Sequence, residues 1–288
     1  MSTPEVNHVT VIGSGTMGAQ IGMVAALSGY RTSIVDIARE SLDRAQEMLH
    51  SRMDRDVEKG RRTADQVAEA FGRLEFSLDR DAVVAQTDLV IEAAVEDLEV
   101  KQRLFRELDA VAPAHTVLTT NSSNIVSSRL AGAVGRPGKV CNMHFFNPAL
   151  VMECVEVVPH EGTDRETVDT VVRVAESLGK QPVLLRKEVP GFVANRLLNA
   201  LRREAVALYE DGVADFRDID VAAKTALRHP MGPFELMDMT GLDVVYMIRM
   251  AEYEQTGDPE SLPAQSVKEL YEKGDYGRKT GRGWYDYS

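Results

Sequence analysis

The chain has 288 residues, about twice the length of a common single domain, so two domains are expected. Hydrophobic residues make up 44% and charged residues 27% of the composition, which is ordinary globular usage and excludes a disordered or collagen-like protein. Lys and Arg number 33 against 45 Asp and Glu, a net charge of −12, so the surface as a whole should repel nucleic acid and anionic membranes.

Composition and segment patterns argue against a membrane or secreted protein. No run approaches the roughly 18 consecutive apolar residues of a membrane span, and residues 1–7 lack the pattern of a signal peptide. Cys141 and Cys154 show neither CxxC nor zinc-ligand spacing, so we expect both to fill core positions. These features predict a cytoplasmic protein with no membrane and no nucleic-acid partner.

The N-terminal segment is predicted to form a strand, a helix and a second strand. A β-branched run at 8–12 predicts the first strand, and a glycine cluster follows it. The apolar period then becomes helical from Met17, and Ser28-Gly29 ends that helix. A second strand is predicted at 31–36, which completes a βαβ unit.

The rest of the chain is predicted to continue an α/β sheet and then become helical. Residues 39–70 are charged and helical in period, with a break at Gly60, and predict a helical hairpin. Further strands are predicted at 89–92, 116–120, 139–146, 153–158 and 182–185. From 192 to about 273 the pattern is helical apart from a turn at 229–233. We therefore predict an α/β domain over 1–187 and an all-helical domain over 188–288.

The glycine cluster matches a dinucleotide-binding pattern. Gly13, Gly15 and Gly18 form G-x-G-x-x-G between a predicted strand and a predicted helix, where backbone N–H groups can face a pyrophosphate. Asp36 ends the second strand, where a carboxylate can bind both ribose hydroxyls of NAD and would repel the 2′-phosphate of NADP. The alternative is a turn in which the glycines are structural only. The context favours an NAD site.

One of the six histidines stands out, and none has metal-ligand spacing, so no metal site is expected. His144 ends a predicted strand beyond the nucleotide-binding half, where an imidazole can exchange a proton with an alcohol near neutral pH. Glu156 lies in the apolar strand ECVEVV and needs a partner there. A carboxylate on Nδ1 would fix the tautomer of His144; the alternatives are a core histidine and a solvent-facing edge glutamate.

Two polar segments and one cationic segment are further candidates. Asn121-Ser122-Ser123-Asn124 follows a predicted strand and Asn195 begins the helical domain, although both positions are also typical of helix caps. The segment 52–62 has five cations against three acids and is the best candidate to face an anion. A solvated helix with internal ion pairs fits that charge pattern equally well.

Taken together, these residues resemble the short-chain L-3-hydroxyacyl-CoA dehydrogenases, which include bacterial 3-hydroxybutyryl-CoA dehydrogenases. The resemblance covers the full length and rests on motifs in family order: GSGTMG, IEAAVEDLEVK, NSSN, HFFNP, ECVEVV, VPGFVANRLL, HPMGPFELMD, GLD and KTGRGWYDY. It implies a Rossmann-like, mostly parallel sheet domain with a helical hairpin insertion, followed by a helical domain for substrate binding and homodimer formation. It also implies NAD as cofactor and an acyl-CoA substrate that is oxidised from 3-hydroxy to 3-oxo, or reduced in reverse.

The resemblance also implies roles for individual residues. The catalytic set would be His144 as general acid/base, Glu156 as its orienting partner, and Ser123 and Asn195 near the reacting oxygen. The cofactor-contacting set would be Gly13, Ser14, Gly15, Thr16, Met17, Gly18, Asp36, Glu96, Lys101, Ser123, Asn147 and Lys279. The CoA-contacting set would be Ser51, Arg52 and Lys59.

Departures from the family pattern leave other readings open. Asn124 replaces a smaller polar residue beside Ser123, and Arg202, Arg203 and Arg228 stand where small or uncharged residues are common. A thioester of acyl-carrier protein, or an acyl chain with a distal carboxylate, would fit such changes. Two further alternatives are a dehydrogenase of small polar hydroxy acids on the same architecture and a non-catalytic NAD-binding structural protein.

Overall fold

The computed structural model describes residues 6–288, except for the side chains of residues 255 and 256. Residues 1–5, where the first predicted domain begins, lie outside the described residues. The chain divides into two compact units, 6–193 and 194–288. Within residues 6–288, no helix combines the length and the apolar character needed to cross a bilayer.

The first unit contains one eight-stranded sheet in the order β3-β2-β1-β4-β5-β6-β7-β8. The strands are β1 His8–Ile12, β2 Arg31–Val35, β3 Leu74–Ser77, β4 Leu89–Glu92, β5 Val117–Thr120, β6 Val140–Phe145, β7 Cys154–Pro159 and β8 Gln181–Leu184. Strands β1 to β6 pair in parallel, β7 is antiparallel to β6, and β8 is parallel to β7. The order of the first six is that of doubly wound dinucleotide-binding sheets, so the predicted fold class is confirmed.

Helices cover both faces of this sheet. They are α1 Thr16–Leu27, α2 Arg39–Glu58, α3 Ala64–Gly72, α4 Arg80–Val84, α5 Leu98–Val111, α6 Ser127–Ala131 and α7 Arg165–Ser177. One apolar core lies on the α1, α2 and α7 face and a second lies on the α5 and α6 face. Because β1 is covered on both faces, all five of its residues are buried, which explains a continuous β-branched run without alternation.

The predicted hairpin is formed by α2 and α3, which are separated at Gly60. Leu42, Leu49 and Met53 recur on one face of α2 and are buried in the first core. The helix α3 begins with a capping box between Thr63 and Gln66. This local chemistry agrees with the sequence pattern.

The strand β3 was not predicted. It has only four residues, and none of them is fully buried, so it lacks the continuous apolar run that indicated the other strands. Its backbone pairs with β2, with Thr32 opposite Leu74 and Val35 opposite Ser77. Pairing at the sheet edge, rather than residue preference, therefore defines this strand.

The second unit consists of α8 Ala194–Glu210, α9 Phe216–Thr225, α10 Pro233–Thr240, α11 Leu242–Thr256 and α12 Gln265–Lys273. Its core is rich in aromatic rings, with Phe216, Phe234 and Trp284 in mutual contact. Asp238 ties the C-terminal segment to this core, because its carboxylate accepts hydrogen bonds from the backbone N–H groups of Trp284 and Tyr285, both at 2.9 Å. The helical prediction thus holds for most of this unit.

Residues 188–193 precede the division between the two units and pack on the first. The carboxylate of Glu188 accepts hydrogen bonds from the Ser127 hydroxyl and the Ser128 backbone N–H, both at 2.9 Å. Phe192 is fully buried beside Val158. The compact first unit therefore extends six residues beyond the predicted end of the first domain at 187.

Candidate active site

A cleft of about 1200 Å³ opens at the carboxyl ends of the parallel strands in the first unit, the edge where sheets of this order bind ligands. The glycine turn between β1 and α1 forms part of its wall. Gly13 has a φ of +102°, and a Cβ there would lie 2.6 Å from the Ala93 carbonyl oxygen. A Cβ on Gly18 would lie 1.9 Å from the Gly13 carbonyl oxygen, so a side chain there would push α1 away from β1.

Gly15 has a different function in the same turn. A Cβ added to Gly15 would meet no atom within 4 Å, so no clash within the protein requires glycine here. The missing side chain instead leaves space in the cleft. Gly15 is the N-cap of α1, and the exposed Thr16 begins the helix, while Ser14 is buried and Met17 packs on the first core. Backbone N–H groups at a helix start favour an anion, so this turn fits the pyrophosphate of a dinucleotide.

Asp36 lines the same cleft immediately after β2. Its Oδ2 accepts hydrogen bonds from the Ser14 backbone N–H and hydroxyl, both at 2.8 Å, and its Oδ1 accepts one from the Ala38 N–H at 3.2 Å. Burial raises the pKa of Asp36, but these hydrogen bonds outweigh it and hold the pKa below its ordinary value. The carboxylate is therefore ionised at neutral pH, which favours ribose hydroxyls and disfavours a 2′-phosphate.

His144 and Glu156 meet at the carboxyl end of β6. They are direct partners across the antiparallel pair of β6 and β7, and Nδ1 of His144 lies 2.9 Å from Oε2 of Glu156. The histidine is 6% exposed and the glutamate 1%. Since a carboxylate only accepts hydrogen bonds, Nδ1 carries the proton that joins the two groups. The other ring nitrogen, Nε2, is then left to exchange a proton with a ligand.

The second carboxylate oxygen and two aromatic rings hold this pair in place. Oε1 of Glu156 accepts a hydrogen bond from the Val193 N–H at 2.9 Å. The rings of Phe146 and Phe192 lie 4.6 Å and 5.4 Å from the imidazole, measured between ring centroids. Phe192 is fully buried and has a left-handed φ of +50°, which its packing must stabilise.

The loop after β5 is fastened beside the end of β6. Oδ1 of Asn121 accepts a hydrogen bond from the Phe145 N–H at 2.8 Å, and the Ser122 hydroxyl donates to Glu96. Ser123 is half-buried in this loop. The sequence pattern placed all of residues 121–124 at the end of a strand, and the resemblance singled out Ser123, whereas Asn121 and Ser122 make the contacts that fix the loop. Their position directly after a predicted strand was the available signal.

The structure places Lys101, which the resemblance assigns to the cofactor, in a buried ion-pair network. The side chain is 1% exposed, and its Nζ lies 2.5 Å from Oε1 of Glu92, which is itself fully buried. The same ammonium lies 3.4 Å from Oε2 of Glu96, which is 40% exposed. Glu96 is therefore accessible to a ligand, and Lys101 lies behind it as a buried counter-ion. Burial of Lys101 depends on the packing of α5, which its sequence does not reveal.

The other predicted site residues lie in several places. Asn147 is exposed just after β6 in the first unit. In the second unit, Asn195 is half-buried in the first turn of α8, and Nζ of Lys279 lies 2.5 Å from the carboxylate of Asp243. The division into two units leaves the roles of Asn195 and Lys279 as proposals.

The cationic segment is partly neutralised within itself. Asp56 is 5% exposed and pairs with Arg52 at 3.5 Å and Arg61 at 3.2 Å. Ser51 and Lys59 are exposed, and Lys59 directly follows α2. Internal ion pairs are therefore present, and the interpretation that this segment faces an anion stays a prediction.

The cysteine thiols are not part of this site. Burial raises the pKa of the Cys141 thiol to about 12, so it stays protonated and unreactive. Cys154 is only partly buried, which differs from the expectation that both cysteines fill core positions. Within the part of the chain that the structure describes, no group of three or more His, Cys, Asp and Glu side chains could hold a metal ion.

Family models match the two parts of the chain in succession. The 3-hydroxyacyl-CoA dehydrogenase NAD-binding domain matches residues 8–189, and the C-terminal domain of the same enzymes matches residues 191–287. The chain belongs to the 3-hydroxyacyl-CoA dehydrogenase family. The resemblance inferred from its motifs is thereby confirmed, and the chain is an NAD-dependent oxidoreductase.

Similar proteins cover the chain almost completely. Mitochondrial hydroxyacyl-coenzyme A dehydrogenase from Homo sapiens is 38% identical over 98% of this chain and 91% of its own length. The 3-hydroxybutyryl-CoA dehydrogenase from Clostridioides difficile is 37% identical over 97% of this chain and 99% of its own. The crystal structure of (S)-3-hydroxybutyryl-CoA dehydrogenase PaaH1 from Ralstonia eutropha superimposes with a TM-score of 0.90 at 34% identity, covering 99% and 100% of the two chains.

Proposed function

We propose that the chain oxidises short-chain (S)-3-hydroxyacyl-CoA thioesters to 3-oxoacyl-CoA with NAD, or catalyses the reverse reduction. The buried pair of His144 and Glu156 carries this proposal, because it supplies an oriented proton acceptor at the ligand-binding edge of the sheet. Relatives named for 3-hydroxybutyryl-CoA, which this chain matches over nearly its full length, support a short acyl group.

The proton transfer is assigned to His144. In the direction of oxidation, Nε2 takes the proton of the C3 hydroxyl and the ring becomes an imidazolium. Glu156 stabilises that positive charge through Nδ1, and the Val193 N–H holds the other carboxylate oxygen. In the reverse direction the imidazolium returns the proton to the oxygen.

The turn over residues 13–18 would hold the pyrophosphate of NAD, and Asp36 would accept hydrogen bonds from the adenosine ribose. Space beside Gly15 and the ionised state of Asp36 both fit that group. When bound, NAD supplies the acceptor for the hydride that leaves C3 of the substrate. Among the remaining residues, Glu96, Ser123, Asn147 and Lys279 are proposed to contact the cofactor, and Lys101 positions Glu96 from behind.

Ser123 and Asn195 are proposed to donate hydrogen bonds to the reacting oxygen or its neighbours. Ser51, Arg52 and Lys59 are proposed to contact the CoA moiety. The exposure of Lys59 at the end of α2 supports the last assignment, whereas Arg52 already has a buried carboxylate partner. We expect Lys59→Ala to raise KM for the CoA ester more than it lowers kcat, since the contact is remote from the reacting carbon.

Replacement of His144 by Gln tests the central assignment. We expect kcat with 3-hydroxybutyryl-CoA to fall by a factor of about 10² to 10⁴ while the Kd for NADH changes little, because the side chain serves proton transfer rather than cofactor binding. The partly exposed His115, which pairs with Asp88 elsewhere on the first unit, provides the matched His→Gln control. If His144→Gln turned over like the control, the imidazole would have no part in the reaction.

We also propose residues 1–187 as the NAD-binding domain and 188–288 as the substrate and dimerisation domain of a cytoplasmic homodimer. Exposed apolar side chains in the second unit support the dimer; they are Leu197, Met239, Val244, Met247 and Ile248. Two free cysteines agree with a reducing compartment. Light scattering and cell fractionation test these assignments, and a monomeric mass at micromolar concentration would refute the dimer.

A substrate panel separates this proposal from its alternatives. Acetoacetyl-CoA, an acyl-carrier-protein thioester, a carboxylated 3-oxoacyl-CoA and free 3-oxo acids are compared by NADH oxidation. We expect the highest kcat/KM with the short CoA ester. Activity confined to free hydroxy acids would favour the small-substrate alternative, and NADH binding without any turnover would favour a non-catalytic protein.

A further inference from the structure

The helical unit contains a cavity of about 220 Å³ that the proposed reaction does not use. Its walls are largely apolar and include Val206, Val245, Leu262 and Val267. Arg202 of α8 lies on the same wall and is 7% exposed. A cation at this depth in an apolar wall is unusual unless an anion accompanies it.

Hydrogen bonding within the unit leaves Arg202 incompletely satisfied. Its Nη2 donates to the Thr240 hydroxyl at 2.8 Å, and its Nε is buried without any partner. Among residues 6–288, no carboxylate forms an ion pair with this guanidinium. Burial lowers the pKa of Arg202 to about 10, so the group still carries its charge at neutral pH.

Four other charged residues line the cavity: Glu210 and Arg249 have their own contacts, and Arg203 and Glu260 are exposed. The carboxylate of Glu210 accepts hydrogen bonds from the backbone N–H and the hydroxyl of Ser266, at 2.7 Å and 2.6 Å. Arg249 pairs with Glu252 at 2.6 Å. Arg202 is therefore the buried charge whose counter-ion the cavity lacks.

We propose that this cavity binds the carboxylate of a short aliphatic acid, with the carboxylate on Arg202 and the hydrocarbon chain against the apolar wall. At about 30 Å³ per water-sized group, the cavity holds roughly seven non-hydrogen atoms, which is the size of butyrate or pentanoate. A guanidinium offers parallel N–H donors that match a carboxylate. The proposed ligand is a free acid.

Calorimetric titration of the whole protein with sodium butyrate tests the site. Sodium chloride at equal ionic strength and neutral butyramide serve as ligand controls. We expect one butyrate per chain with a Kd of about 1 to 10 mM, and binding at least about tenfold weaker in Arg202→Leu. Arg196→Leu is the matched control, since it removes an exposed cation of the same helix that does not line the cavity. That variant should bind butyrate within about twofold of the unmodified chain.

Arg202→Leu removes a desolvated charge, so we expect it to fold with an unchanged or raised Tm. Equal butyrate binding by this variant, or no binding up to 100 mM by the unmodified chain, would overturn the proposal. A further result to watch for is that the unmodified chain fails to bind butyrate while Arg202→Leu changes its oligomeric mass. That result would also overturn the proposal, because the anion on Arg202 would then belong to a second copy of the chain.

Discussion

Glu156→Gln is the sharpest test of how the active site is oriented. This carboxylate accepts hydrogen bonds from the Val193 N–H at Oε1 and from Nδ1 of His144 at Oε2, each at 2.9 Å. Glutamine keeps the shape but has one oxygen and one amide NH₂, so it can accept from only one of them. The backbone N–H cannot change its role, whereas the imidazole can change tautomer. The amide oxygen should therefore remain on Val193, and the NH₂ should face Nδ1.

This arrangement places the imidazole proton on Nε2, the nitrogen that must accept the substrate proton. The variant also loses the negative charge that stabilises the imidazolium at a position only 1% exposed. General acid–base catalysis of this type contributes a factor of about 10² to 10⁴, and a wrong tautomer in a serine-protease triad lowers kcat by about 10⁴. We therefore expect kcat to fall by about 10² to 10⁴, which is roughly 3 to 5 kcal/mol of barrier.

The assay follows NADH at saturating 3-hydroxybutyryl-CoA and NAD. NADH affinity, measured by fluorescence, should change less than about twofold, because the pair lies outside the proposed cofactor contacts. Glu153→Gln, an exposed glutamate three residues earlier, controls for loss of one negative charge. A folded Glu156→Gln variant with kcat within threefold of the unmodified chain would refute the assigned roles of both side chains.

Four further outcomes are expected. Gly18→Ala should lower the Tm strongly, since the added Cβ would overlap the backbone at Gly13. Gly15→Ala should leave the Tm unchanged and weaken NAD binding, since its Cβ would enter the cleft. Asp36→Ala should lower the preference for NAD over NADP by at least about tenfold in kcat/KM, and an unchanged ratio would contradict its role. Lys101→Met should lower the free energy of unfolding by about 3 to 5 kcal/mol, because it leaves the buried carboxylate of Glu92 without its counter-ion. Chemical denaturation measures this loss, and an unchanged denaturation midpoint would contradict the prediction. Burial raises the pKa of Asp238 in the folded state above 3.8, so the contribution of this carboxyl group to stability should decline as the pH rises through the window above 3.8. The Tm of the unmodified chain should therefore exceed that of Asp238→Asn by less as the pH rises there, and a growing difference would contradict this sign.

Sequence reasoning succeeded where residues that are close in sequence are also close in space. The strand, glycine turn and first helix depend on contacts within about thirty residues, and their turn and period patterns are local. It failed for β3, where a four-residue edge strand depends on pairing with β2. It also failed for the environment of charged side chains. Nothing in the local sequence shows that Lys101 and Arg202 are buried, because their burial arises from the packing of whole helices.

The meeting of His144 and Glu156 follows from one change of direction in the sheet. Had β7 continued the parallel pattern, reaching it from β6 would need a crossover of a dozen or more residues, and these side chains, twelve residues apart, could not be neighbours. The antiparallel turn between β6 and β7 makes them direct cross-strand partners on one face. Because side chains alternate along a strand, a shift of register by one residue would place the glutamate on the opposite face. The pairing of β6 with β7 therefore sets the geometry of this proposed catalytic pair as directly as the two side chains do.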